Sequence, residues 1–194
     1  MFYWTLRFII RNILLLWRRW EIVGLENLPV NGGLLIVSNH ASNLDPLVVG
    51  CAITRKVHFM AKVELFKVPL LKTIITLLGA FPINREKSDR NAIRKALEIL
   101  RSGQVVGIFP EGTRSKTGAL QKAHIGAAML AVKGDVPILP IALIGTRGFF
   151  NKITVKIGKP VYLPEIWAGR PGKAELEALS DTVMGKIEQL IIDK

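Results

Sequence analysis

A histidine and an aspartate, His40 and Asp45, are the first residues whose types and spacing could do chemistry. On one helix, positions five apart point ~140° away from each other. Between the end of a strand and the start of a helix, however, the chain can fold back and set carboxylate beside imidazole. The apolar run 33–39 before His40 and the pair Asp45-Pro46 after it supply those two boundaries. Asp45 then reads as an N-cap with proline at the first helical position. A carboxylate on one ring nitrogen fixes the tautomer and makes the other nitrogen more basic. His40 would then be a general base, a device worth ~10²–10⁴-fold in rate. The spacing suits equally an Asp45 that only caps its helix and a His40 that only satisfies its loop. With no nucleophile between them, such a base acts on a substrate hydroxyl. Ser38 and Ser42 leave an acyl-enzyme open, although there is no GxSxG elbow.

A second loop, Pro110-Glu111-Gly112-Thr113-Arg114-Ser115, follows the apolar run 104–109. Arg114 offers a planar fork suited to phosphate, Gly112 lets backbone approach a ligand, and Thr113 and Ser115 add hydroxyls. A solvated turn with a local Glu–Arg pair is the plain alternative. Arg85 follows another such run, at 80–84, and the two arginines would share one rim. No GxxxxGK cradle and no HExxH are present.

Six β-branched runs, at 33–39, 57–61, 80–84, 104–109, 138–144 and 153–157, predict the strands that carry these loops. Helical stretches are expected at 46–53, at 88–100 with Ser88 or Asp89 as cap, at 122–133 closed by Gly134, and at 173–192. Continuous apolar strands alternating with helices indicate one α/β domain, a mixed, largely parallel sheet covered by helices. The loops after the strands are then the place for a site. A Gly/Pro-rich loop, 164–172, merely precedes the last helix.

The chain has 194 residues, 49% of them apolar, with a net charge of +12. Its mean hydropathy is +0.33 and its pI about 10.1. That apolar content excludes disorder, and the single cysteine, Cys51, excludes a disulfide framework or zinc site. Cys51 itself reads as a core residue, and His58 and His124 as ordinary strand and helix residues.

A nucleic-acid binder would explain the charge and a membrane protein the hydropathy; an anionic lipid surface explains both. Residues 1–20 are long enough to span a bilayer but hold Arg7, Arg11, Arg18 and Arg19. On a helix the first three of these arginines fall within ~40° of one another. Phe2, Ile9, Ile13, Leu16 and Trp20 collect opposite. The expectation is an interfacial anchoring helix over 1–20, its arginines facing headgroups, followed by a catalytic domain over 21–194. The alternative is an amphipathic helix packed on its own domain. The run 68–78 predicts an apolar helix, too short to span, that is buried or dips into lipid.

The blocks SNHASNLDP, GAFPINR, FPEGTRS and VPILPIAL occur in that order. Together they resemble the glycerolipid acyltransferase family, specifically its 1-acylglycerol-3-phosphate (lysophosphatidate) branch. The resemblance runs from about Gly24 to Pro160 and implies that His40 is the catalytic base and Asp45 its partner. It implies acceptor-binding positions at Arg85, Glu111, Gly112 and Arg114, beside Thr113, and a further one near the acceptor phosphate at Lys62. Where the family often shows Phe-Lys-x-Gly-Ala, this chain has Ala123-His124-Ile125-Gly126-Ala127.

The implied reaction carries an acyl chain from acyl-CoA or acyl carrier protein to the sn-2 hydroxyl of lysophosphatidate. It would need no cofactor or metal beyond the thioester co-substrate. The implied setting is the cytoplasmic face of an anionic membrane, peripheral or monotopic, with no nucleic acid as partner. Other acceptors, thioester hydrolysis and a non-catalytic binder of anionic lipid or nucleic acid are the rival readings.

Overall fold

In a computed structural model describing residues 2–84, 89–163 and 171–193, each of the six β-branched runs becomes a strand. Arg85, Ser88 and most of the 164–172 loop lie outside the described residues. The strands are β1 (Glu21–Val23), β2 (Leu34–Ser38), β3 (Val57–Lys62), β4 (Phe81–Ile83), β5 (Val105–Ile108), β6 (Ile138–Ile144) and β7 (Thr154–Ile157). They form one sheet in the order β1-β7-β6-β2-β5-β3-β4. From β6 through β2, β5 and β3 to β4 every pairing is parallel. β7 runs antiparallel to β6, and β1 runs parallel to β7. The carboxyl ends of five strands therefore share one edge, which carries both candidate loops.

The alternation within β2 shows how the core divides. Leu35 and Val37 point into a cluster with Ala96 and Leu100 of α4 (Arg90–Arg101), Leu130 of α5 (Gly126–Gly134) and Ile187 of α6 (Lys173–Ile192). Leu34 and Ile36 point the other way, against Leu14 of α1 (Phe2–Arg18) and Val48 and Val49 of α2 (Asp45–Ala52). Side chains two apart share a face, so one apolar run fills two cores. A further helix, α3 (Pro69–Leu77), has no buried residue.

Several local expectations need correction. β1 was not anticipated: three edge residues carry too little alternation to show. Asp89 caps α4, accepting the Ala92 N–H at 3.0 Å. α5 starts at Gly126 rather than 122, because the His124 N–H turns back to the Pro110 carbonyl at 2.9 Å. Gly134 stays helical and the left-handed stop falls on Asp135, φ 52°. Asp45 is not an N-cap but the first residue of α2, with Leu44 before it.

The larger correction concerns α1. Its arginine stripe faces the protein and not headgroups. Arg7 donates to the carbonyls of Gly50, Cys51 and Ile53 at 3.0, 2.8 and 2.8 Å, and Arg11 to Cys51 at 3.2 Å. Those are the carbonyls a helix C-terminus leaves unpaired, where the dipole also favours a cation. Arg18, 1% exposed, reaches the carbonyls of Gly145 and Asn151. The opposite stripe of Phe2, Ile9, Ile13 and Leu16 is exposed, and Trp20 is buried. Among the described residues no helix is long and apolar enough to cross a membrane.

Candidate active site

The site begins where β2 ends. The Asn39 side chain pairs with the backbone of β6, its amide donating to Leu143 O at 2.9 Å and its oxygen accepting the Leu143 N–H at 2.8 Å. That two-way bond fixes the exit of the strand. The next residue, His40, is held at four points. Its N–H donates to Glu111 Oε1 at 2.7 Å, and its carbonyl accepts the Ser115 N–H at 2.8 Å. Its ring stacks on Phe109, centroids 4.1 Å apart and 17° between planes, and Nδ1 lies 2.8 Å from Asp45 Oδ2.

Asp45 is fully buried, and the same Oδ2 accepts the N–H groups of Ala41 at 2.6 Å and Ser42 at 2.7 Å. An oxygen already accepting two N–H bonds has no proton to give, so Nδ1 carries the hydrogen and Nε2 is left as an acceptor. The carboxylate holds the loop in shape and the ring in one tautomer. The chain does fold back between strand and helix, and here the ring has its orienting partner.

The second loop meets the first through Glu111. This side chain, 4% exposed, accepts from His40 with one oxygen and from the Gln121 N–H and Nε2–H with the other, at 3.1 and 3.0 Å. Burial pushes its carboxyl up, against the pull of those hydrogen bonds. Both oxygens accept from the protein, so Glu111 braces the two loops. Gly112 takes φ +69° and packs under the His124 ring.

Thr113 and Arg114 stand exposed at the mouth of a cavity that His40 and Gly112 also line. Arg114 makes no ion pair among the described residues, which leaves its fork available. Lys62, at the end of β3, lines the same cavity with Glu64 3.7 Å away. The expected positions therefore converge on one opening, with Glu111 behind it and Arg85 outside the described residues.

The cavity has a volume of ≈ 730 Å³ and runs from His40 between α1, α2 and α3. Leu47, Phe59, Leu71, Ile74, Ile75 and Leu78 make its walls largely apolar. Gly50 and Tyr3 line it as well, the Tyr3 hydroxyl 3.9 Å from where a Cβ on Gly50 would stand. Among the described residues no serine hydroxyl bonds the His40 ring: that of Ser38 donates to Asn39 O, and that of Ser42 accepts the Leu44 N–H. Cys51 also lines the cavity, but burial pushes its thiol up to about 11, so it stays protonated. Among the described residues no group of three or more His, Cys, Asp or Glu side chains could hold a metal ion.

Sequence reasoning missed Asn39, Phe109 and Gln121. The first two sit inside the quoted blocks, but only the fold shows what they touch.

This arrangement suits removal of a proton from a hydroxyl placed between a cationic mouth and an apolar channel. The acyltransferase family model matches residues 19–144. The 1-acyl-sn-glycerol-3-phosphate acyltransferase of Bacillus subtilis is 31% identical over 176 residues, covering 88% of this chain and 87% of its own. That of Borreliella burgdorferi is 31% identical over 181 residues, 88% of this chain and 72% of its own. The crystal structure of the 1-acyl-sn-glycerophosphate acyltransferase PlsC from Thermotoga maritima superposes with a TM-score of 0.77. The two are 29% identical, and the match covers 98% of this chain and 80% of that one. On the motif order, the sheet and these matches together, the chain belongs to the acyltransferase family.

Proposed function

We propose that this enzyme transfers an acyl chain from acyl-CoA or acyl carrier protein to the sn-2 hydroxyl of 1-acyl-glycerol-3-phosphate. The observation that carries the reading is the His40–Asp45 pair at the junction of an apolar cavity and a cationic mouth. The relatives' names point to the same acceptor. His40 Nε2 takes the hydroxyl proton as the oxygen attacks the thioester carbon. A C–O bond forms, the C–S bond breaks, and the imidazolium returns its proton to the leaving thiolate. Phosphatidate and a free thiol result. Arg114, with Lys62 and Arg85, holds the acceptor phosphate, and the cavity between α1, α2 and α3 receives an acyl chain.

The enzyme works peripherally, on the outward apolar face of α1, at the cytoplasmic face of an anionic membrane. Two facts support this: that face exposes Phe2, Phe8, Ile9, Ile13 and Leu16, and the chain carries a net charge of +12. Both thioester donors are anionic, so the charge suits either.

Thiol release by the purified protein, followed over a panel of acceptors, tests the reaction. Lysophosphatidate should be the best acceptor, ahead of glycerol-3-phosphate, a lysophosphodiester and water. Equal release without acceptor would make the protein a thioesterase and overturn the reading. In the same assay Arg114→Ala should raise KM for lysophosphatidate about 10- to 100-fold, the worth of one charge-assisted hydrogen bond. Use of a phosphate-free monoacylglycerol should not change.

Chain length tests the cavity. Gly50→Leu extends a side chain from the cavity wall and replaces a helical glycine, so the fold should not suffer. Excluding two methylenes, ~0.8 kcal/mol each, should lower use of a long donor about tenfold relative to a short one. An unchanged donor preference would mean that acyl chains do not reach Gly50.

A further inference from the structure

The loop between β6 and β7 holds two exposed phenylalanines that the proposed reaction does not use. Phe149 is 65% exposed and Phe150 73%. Large apolar side chains at a loop tip cost solubility, and this loop is built to display them. Arg18, buried at the end of α1, donates through Nε to Asn151 O at 2.8 Å and through Nη2 to Gly145 O at 2.7 Å. The two carbonyls stand at either end of the loop, so one guanidinium closes it. The Ile153 N–H returns to Arg18 O at 3.3 Å, and the Asn151 side chain donates to Arg147 O at 2.8 Å. Gly145 takes φ +77°, and a Cβ there would lie 2.0 Å from Lys152 O. The turn is therefore tight and restricted to glycine at that point.

What the loop displays continues α1. Phe149 packs edge-on against Trp17, centroids 4.5 Å apart, and Phe150 against Phe149 at 5.0 Å. Next to Trp17 on the helix, Leu16 is 87% exposed, and Ile13, about one turn earlier, is exposed too. The apolar stripe of α1 thus runs past its last residue onto the loop. Arg147 flanks the two rings, while Lys152 at the end of the loop is paired with Glu21 at 2.6 Å. Aromatic rings beside an arginine, on a chain with a net charge of +12, suit the headgroup zone of an anionic bilayer.

We infer that Phe149 and Phe150 are a second membrane-inserting element, which with α1 seats the enzyme on an anionic lipid surface. The inference rests on the membrane-surface reading above and adds a contact that reading lacks. The loop lengthens the inserted surface beyond the last residue of α1 and holds that end of the helix to the lipid. The loop leaves the same sheet edge as His40 and Arg114, so its insertion brings that edge toward the lipid.

Vesicles of phosphatidylglycerol and phosphatidylethanolamine, co-sedimented with the full chain, test this. Phe149→Ser/Phe150→Ser should bind at least tenfold more weakly than wild type, and Phe150→Trp should bind as well or better. Phe149 touches Trp17, so Phe150→Ser alone serves as the variant that leaves α1 undisturbed; it should lose severalfold. Phe150→Cys carrying a polarity-sensitive fluorophore should shift to the blue when vesicles are added. Cys51 is buried with its thiol pushed up to about 11 and will not compete for the label.

Wild-type affinity of the double variant, with a label that stays in water, would overturn the inference. If Ile9→Glu/Leu16→Glu abolishes binding while the phenylalanine variants do not, only the loop falls and the membrane reading stands. If wild type ignores the vesicles, both fall. A variant that binds vesicles normally but loses an acidic carrier protein, or changes from dimer to monomer, would give the rings another occupant and overturn the inference too.

Discussion

His40→Ala is expected to lower lysophosphatidate-dependent thiol release by about 10²–10⁴-fold, the range of a positioned general base. The folded protein should survive the change. Asp45 keeps two of the three N–H groups on its Oδ2, those of Ala41 and Ser42, and the His40 main-chain bonds to Glu111 and Ser115 do not involve the ring. Unfolding by urea should therefore show a loss of about 1 kcal/mol or less beyond the stacking on Phe109. Asp45→Asn makes a sharper comparison. An amide NH2 facing Nδ1 favours the wrong tautomer, so activity should fall into the same range. Asp45→Ala should differ by destabilising the fold as well. It leaves two backbone N–H groups without their acceptor, at about 1–3 kcal/mol each. Near-normal release by folded His40→Ala would remove the dyad from the mechanism.

The contact between His40 and Asp45 was legible because it is local. Only five positions separate its members, and a strand end and a helix start were both written in the residues between and around them. The parallel sheet was legible for a similar reason: runs such as 33–39 and 138–144 are apolar on both faces, which suits only a covered sheet. What failed was direction. The arginine stripe of α1 was visible in the periodicity, but periodicity does not say which side a charged face turns to. Arginine is ordinarily outside, and this stripe is inside because the carbonyls of Gly50, Cys51 and Ile53 end a short helix just where α1 crosses it. Those partners lie 43 to 46 positions away, beyond the reach of any local pattern. The bracing role of Glu111 was out of reach for the same reason. Its motif named it, but the groups that consume both its oxygens, His40 and Gln121, are supplied by the fold.

Glu111→Ala should therefore behave unlike a lost substrate contact. It removes the acceptor from the His40 N–H and from both Gln121 donors, which releases the loop of His40 from that of Arg114. A displacement of about 1 Å at a reacting group can cost ~10²-fold, so kcat should fall by about that factor. KM for lysophosphatidate should change little, the reverse of Arg114→Ala. Glu111→Gln should recover part of the loss, since its oxygen can still meet the His40 N–H while its NH2 opposes the Gln121 donors. A folded Glu111→Ala variant with normal kcat and raised KM would return the residue to the acceptor site. Stability supplies an independent check. Burial, the largest influence, raises the Glu111 carboxyl above the ordinary glutamate value of 4.5. Between that value and the raised one the folded state holds the proton and the unfolded state has lost it. The stability linked to Glu111 is thus fully present below 4.5 and is lost as pH rises through the folded value. Glu111→Gln has no such proton. Urea unfolding of the two proteins across that window should show wild type losing ground to Glu111→Gln as pH rises, and a constant difference would mean the carboxyl titrates as it does in water.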